Sequence, residues 1–299
     1  MSVRTSVLAL LLLVALAPSS SAQGVIEGTE ELSFDRPEAW AMKYFASVTL
    51  LTGLGPPMPR EAGAVDLAFE LGTIPHLDED QRRVGFGGTK VEDLNKLPAL
   101  GRLRVTVGLG RDWSLDAAWV PPVEIKGVTA NMFSLGIERP FLRSGRWTLG
   151  ARAYGQIGET RGDYTCTADE AGYEPGSPEN EFGCGEASDD TVTMDYLGAA
   201  FTGGYQISPR GAIHFGVGGN YMDLAFQVNA LTYGVRDRTL LLTDGWTFSI
   251  NAGYSTDLGK KTRLGVELFY SPLEVVRTVD GSSENDPLLN LRAIFRYRL

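Results

Sequence analysis

Hydrophobic alternation with a period of two predicts an all-β fold. Brief turns alternating with long connections, and aromatics gathered near the ends of the apolar faces, refine that reading. Together they predict a transmembrane, antiparallel, up-and-down β-barrel of about twelve strands, with ten as the fallback.

The elements follow in chain order. Met1-Ser2-Val3-Arg4 leads into an apolar run over 7–17, then Pro18 and the small residues of Ser20-Ser21-Ala22. A charged start, a short apolar core and a small-x-small site predict a cleaved signal peptide over 1–22, with a barrel domain over 23–299. The run is shorter than the roughly 20 residues a spanning helix needs. Weakly patterned strands are expected near 31–36 and 41–53. Clear alternation follows in Val65-Asp66-Leu67-Ala68-Phe69-Glu70-Leu71, in Arg102-Leu103-Arg104-Val105 and in Trp113-Ser114-Leu115-Asp116-Ala117-Ala118-Trp119. Further strands are predicted over 130–139, 146–157, 193–207, 211–226, 243–256, 261–271 and 288–299.

One face of these strands is apolar, as in Trp147, Leu149, Ala151 and Ala153. The other carries Asp66, Glu70, Arg102, Arg104, Asp116, Glu138, Arg152, Glu267, Arg292, Arg296 and Arg298. A barrel of about twelve strands is too wide for its own side chains to fill, since about eight strands is the packed limit. The apolar face is therefore expected outward, in lipid. Short connections at 110–112, 139–146, 208–210 and 256–260 alternate with long ones at 73–100, 122–129, 158–192, 227–242 and 272–287.

The last strand places Leu289, Leu291, Ala293, Phe295, Tyr297 and Leu299 in alternation with Asn290, Arg292, Ile294, Arg296 and Arg298. It resembles the C-terminal signature of bacterial outer-membrane β-barrel proteins, departing from it in ending on Leu299 in place of Phe or Trp. The resemblance implies a location in the bacterial outer membrane, contact with outer-membrane lipid and recognition by the barrel assembly machinery.

Function is bounded by composition and by the inner charges. With 37 acidic against 27 basic side chains and a net charge of −10, a nucleic-acid partner is not expected, because phosphate binding needs clustered cations. Arg102, Arg104, Glu138, Arg152, Glu267, Arg292 and Arg296 are the expected lumen-lining residues. They either select small solutes in a polar pore or pair across the ladder and close it. Lys43 is expected beside the Asp66 strand. Cys166 and Cys184, an even pair in an exported chain, are expected to form a disulfide across an acidic loop. Thr89-Lys90-Val91-Glu92 has capping-box spacing and predicts a short helix ending at Pro98.

Two histidines, His76 and His214, and two bridged cysteines offer no expected metal site or cofactor. His214 lacks a nearby serine on its face and is read as a lumen residue, so no enzymatic activity is expected. The functional expectation is a pore for passive or facilitated diffusion of small solutes. The alternatives are a non-conducting barrel acting through its loops, or a facilitator for hydrophobic molecules. The last needs a lateral opening, for which the cluster Gly216, Gly218 and Gly219 is the candidate.

Overall fold

A computed structural model describes residues 24–277 and 281–299; the predicted signal peptide over 1–22 lies outside the described residues. The chain begins with strand β1 (Gly24–Glu31), then helix α1 (Pro37–Thr49). Ten barrel strands follow: β2 (Val65–Thr73), β3 (Ala99–Gly110), β4 (Trp113–Val120), β5 (Val128–Ser144), β6 (Trp147–Gly162), β7 (Asp190–Gln206), β8 (Gly211–Gln227), β9 (Val235–Asp257), β10 (Thr262–Ser271) and β11 (Leu288–Arg298). Each pairs antiparallel with the next, and β11 pairs back onto β2 with Phe295 opposite Phe69, which closes the barrel. β1 stands outside this ring and runs parallel to the start of β9, from Gly24 opposite Val235 to Glu31 opposite Leu242.

Ten is thus the strand count, and the two expected N-terminal strands are corrected. Residues near 31–36 make a turn, and 41–53 form most of α1 and its extension. The segment Ala39-Trp40-Ala41-Met42-Lys43-Tyr44 is buried on every side, so it lacks a clean period of either kind; an all-round apolar helix is an enclosed one. Pro37 opens it at the first helical turn, where its missing N–H costs nothing, and Glu38 lies favourably at the positive helix end. Lys43 is therefore on the lumen helix, with its ammonium donating to the Glu274 carbonyl, and does not lie on a strand beside β2.

Because α1 follows a strand parallel to β9, the chain enters the barrel at the rim of long loops. It then descends through α1 and residues 50–64 to the rim of short turns, where β2 starts. Glycines on the inner wall admit this passing chain. A Cβ at Gly150 would lie 2.7 Å from Pro57 Cβ, and one at Gly265 would lie 2.6 Å from the Leu54 carbonyl oxygen.

Outside, Leu67, Phe69, Leu103, Phe133, Leu197, Phe201, Phe248 and Leu268 are exposed and form an apolar band. Large exposed apolar area of this kind is what a bilayer covers. Among the described residues no helix is long and apolar enough to cross a membrane; the crossing is made by strands.

Candidate functional site

The lumen divides into two levels of opposite chemistry. In the half nearer the turns, the inner wall carries Glu70, Arg102, Arg104, Asp116, Arg152, Glu267, Arg292 and Arg296, all buried. In the half nearer the loops, the same inner face becomes Val128, Ala130, Met132, Met194, Met222 and Leu224. The outer face inverts with it, since Glu159, Arg161, Asp195, Asp223 and Asp244 lie above the apolar band. The barrel therefore rises past the lipid, and its upper part is built like a water-soluble β domain.

The lower level grips the chain inside it. α1 ends in mid-lumen, where its last carbonyls have no helical partner and carry the negative end of the helix dipole. Arg292 donates to the Leu50 and Ser47 carbonyls at 2.6 and 2.9 Å. Arg102 donates to those of Thr49 at 2.6 Å and Leu50 at 3.3 Å. Below them Arg104 reaches the Thr52 carbonyl at 3.0 Å and Arg296 that of Gly53 at 2.7 Å. Tyr196 adds its hydroxyl to the Thr49 carbonyl, and Thr52 donates to Glu267 at 2.6 Å. A guanidinium suits this task because its donors are several, planar and always charged.

The carboxylates hold the arginines in turn. Glu70 accepts from Arg102 through both oxygens and from Arg104 at 2.7 Å. Asp116 bridges Arg104 at 2.8 Å and Arg152 at 2.7 Å. Glu138 accepts from Thr202 at 3.1 Å, and His214 Nε2 lies 3.3 Å from Glu267. All seven residues expected to line the lumen thus lie on the inner wall. Six are buried among the plug and its cage, and Glu138 borders a polar cavity of about 480 Å³ at the turn rim.

The upper level holds an apolar cavity of about 320 Å³. Met42 and Phe45 of α1 form one wall, and Met132, Met194, Phe226 and Leu241 form the barrel side. Its roof comes from two docked loops. Residues 84–97 contribute Val84, Phe86, Leu94 and Leu97, and the 163–189 loop contributes Tyr164 and Thr165. Phe86 stacks on Phe182 with centroids 5.2 Å apart, and Lys96 pairs with Asp163 at 2.7 Å. Buried Lys90 reaches across to the Thr165 carbonyl and to Glu170 at 3.3 Å. Cys166 and Cys184 are joined in a disulfide that ties this roof loop. Burial pushes the Glu92 carboxyl up to about 7; Lys90 opposes the shift, while Glu170 and Asp190 add to it.

The helix expected after Thr89 is absent. Lys90–Val91 instead forms a short ladder with Arg83–Val84, and that pairing buries Lys90 under the disulfide loop. The capping box that does form is four-residue Glu79–Arg82, capped by Asp78 and Gln81 reciprocally. The glycine cluster at Gly216, Gly218 and Gly219 is also continuous strand, paired on both sides, and gives no opening. Sequence reasoning missed the apolar cavity, although its signal was present. From Val128 to Met132, apolar residues occupy the parity that carries Glu138 lower down on the same strand.

No family model matches the chain, and no curated protein is similar to it in sequence. Solved structures similar to it include the outer membrane protease OmpT from Escherichia coli, at 11% identity, covering 79% of this chain and 94% of that one, with a TM-score of 0.40. The COG4313 outer membrane channel from Pseudomonas putida F1 is 10% identical, covering 84% and 100%, with a TM-score of 0.37. The translocator domain of autotransporter NalP from Neisseria meningitidis is 11% identical, covering 80% and 90%, with a TM-score of 0.43. The closed barrel of this chain stands on its own strand pairing, and these likenesses assign it no particular activity.

Proposed function

We propose that this outer-membrane barrel is a facilitator for small apolar molecules, which it receives in the cavity beneath its loops. The observation that carries this reading is an apolar cavity inside a lumen that, one level below, is charged and filled. Its volume falls at the lower end of the roughly 300–1,000 Å³ usual for small-molecule sites. The charged groups at its edge have partners of their own: Lys96 with Asp163, Glu92 with Lys90, Arg36 with Glu30 and Glu38, and Asp237 accepting from Thr239. A neutral, largely hydrocarbon solute fits such a lining better than an ion. The arginines then serve to hold the plug in place of selecting solutes, and no cofactor is required.

Methionine methyl NMR of the protein in nanodiscs tests the reading, with naphthalene as the probe. The methyls of Met42, Met132 and Met194 line the cavity, whereas Met58 lies at the turn rim and serves as the internal reference. Saturable shifts at the three cavity methyls, absent at Met58, are expected. Filling the space with Met132→Trp and Met194→Trp abolishes the shift at the remaining cavity methyl, Met42, in protein that still migrates as a folded barrel. Equal shifts at all four methyls, or none, would falsify cavity binding.

A further inference from the structure

A molecule held in this cavity cannot continue down the lumen, because α1 and residues 50–64 occupy it. The barrel wall offers another way out. Along its β8 side, β9 is paired from Leu240 to Thr256 without interruption. Along its other side, pairing with β1 stops at Leu242, and pairing with β10 starts only at Ile250. Among the described residues, 243–249 have no strand partner on that side. The main-chain bond from Leu32 to the Leu242 carbonyl, at 2.8 Å, marks the upper end of this slit. Ser271, donating to the Phe248 carbonyl at 2.8 Å, marks the lower end.

The slit lies where an apolar molecule could use it. Trp246 and Phe248 flank it on the outside and are 65% and 62% exposed, and Trp246 is the last apolar outward residue of β9 before Asp244. It therefore opens at the upper edge of the lipid-facing band. Inside, the cavity reaches Thr239 and Leu241 on the same strand, and the next inward residue, Thr243, is the first of the gap. Residues 32–36 close it from within: Thr243 donates to the Leu32 carbonyl at 3.2 Å and Val276 to that of Asp35 at 2.7 Å, with Phe34 at the centre. Phe34 sits on Gly245 so closely that a Cβ there would lie 2.8 Å from Phe34 Cγ. A cation–π contact holds the ring, with Lys43 Nζ 4.4 Å from its centroid, and the same ammonium donates to the Glu274 carbonyl.

We infer that the slit along 243–249 is the lateral exit by which an apolar solute passes from the cavity into the membrane, and that Phe34 seated on Gly245 is its stopper. This rests on the cavity-binding reading above. It adds that passage is sideways, and that it requires residues 32–36 to move off β9 while α1 stays gripped by the arginines.

A reversible lock provides the test. Phe34→Cys combined with Gly245→Cys places two thiols within the Cβ spacing a disulfide needs, and the export route is oxidising. Uptake of radiolabelled naphthalene is measured in a Gram-negative host carrying this variant, oxidised and after reduction. The wild type is treated in parallel, since reductant also reaches Cys166–Cys184. Cavity binding is read from the methionine methyls of the same preparations. Uptake that falls, on oxidation, to that of cells without the protein, and returns on reduction while cavity shifts persist throughout, supports a lateral exit. Uptake equal in the locked and reduced forms, with cavity binding intact, overturns the exit and leaves the cavity reading standing. Loss of cavity shifts in the wild type overturns both.

Discussion

Arg292 shows how a single side chain is shared between wall and plug. Its position opposite Glu267 in the β10–β11 register suggests a cross-strand ion pair, and so the alternation reads in sequence. The structure sends two of its donors to the Ser47 and Leu50 carbonyls, where the buried negative end of the helix attracts a cation, and Glu267 has other donors. Glu267 accepts instead from Thr52 and Asn251. Glu138 and Arg152 are likewise opposite in register, yet Arg152 turns to Asp116. Arg292→Ala leaves the Ser47 and Leu50 carbonyls with only the longer bonds from the Leu50 and Thr52 amides and from Arg102, and losing the charged donor is expected to destabilise the folded barrel by about 1.5–3 kcal/mol in total. Urea titration followed by the loss of heat-modifiable gel migration measures this. Arg292→Lys, with a compact ammonium in place of the fork, recovers only part of the loss. Which face carried charge was legible from residue spacing. The partners were not, since they come from a segment whose place in the lumen no local pattern announces.

At the scale of elements, ten barrel strands were legible because lipid outside and charge inside enforce strict alternation. α1 was not, because a helix enclosed on all sides has no polar face to set its period. The strand ends were also read short. β5, β6 and β9 continue beyond the lipid band with their polarity inverted, and that inversion looks like the end of the pattern. Loops that roof the cavity give two predictions. Replacing both cysteines, Cys166→Ser with Cys184→Ser, is expected to cost the 163–189 loop about 3 kcal/mol on the chain-entropy estimate. This appears as faster amide exchange there, with barrel strands unchanged. The second concerns Glu92, whose folded pKa of about 7 stands above its ordinary value of 4.5. The docked loop then holds a proton that the opened loop releases. Roof closure is therefore favoured most below about pH 4.5, and that advantage is lost as pH rises through about 7. Exchange at residues 84–92, corrected for intrinsic rate, should quicken across this window, and Glu92→Gln should flatten the dependence.

For the whole molecule, the lumen is a stack: apolar cavity, arginine grip, polar cavity. Ten strands enclose more space than their side chains fill, and the chain's own N-terminal part occupies the remainder. A width between packed and porin-like barrels was legible beforehand; whether it was open was not, because that depends on where residues 37–64 run. Closure to ions is the claim on which the rest depends, and planar-bilayer conductance of the refolded protein tests it most directly. Protein shown to be folded by heat-modifiable migration is predicted to leave the bilayer silent, while Arg102→Ala with Arg292→Ala, which loosens the grip on α1, gives intermittent openings. Steady conductance of the wild type, with an ion selectivity that shifts in Arg102→Ala, would contradict the closed lumen and make this a charge-lined pore.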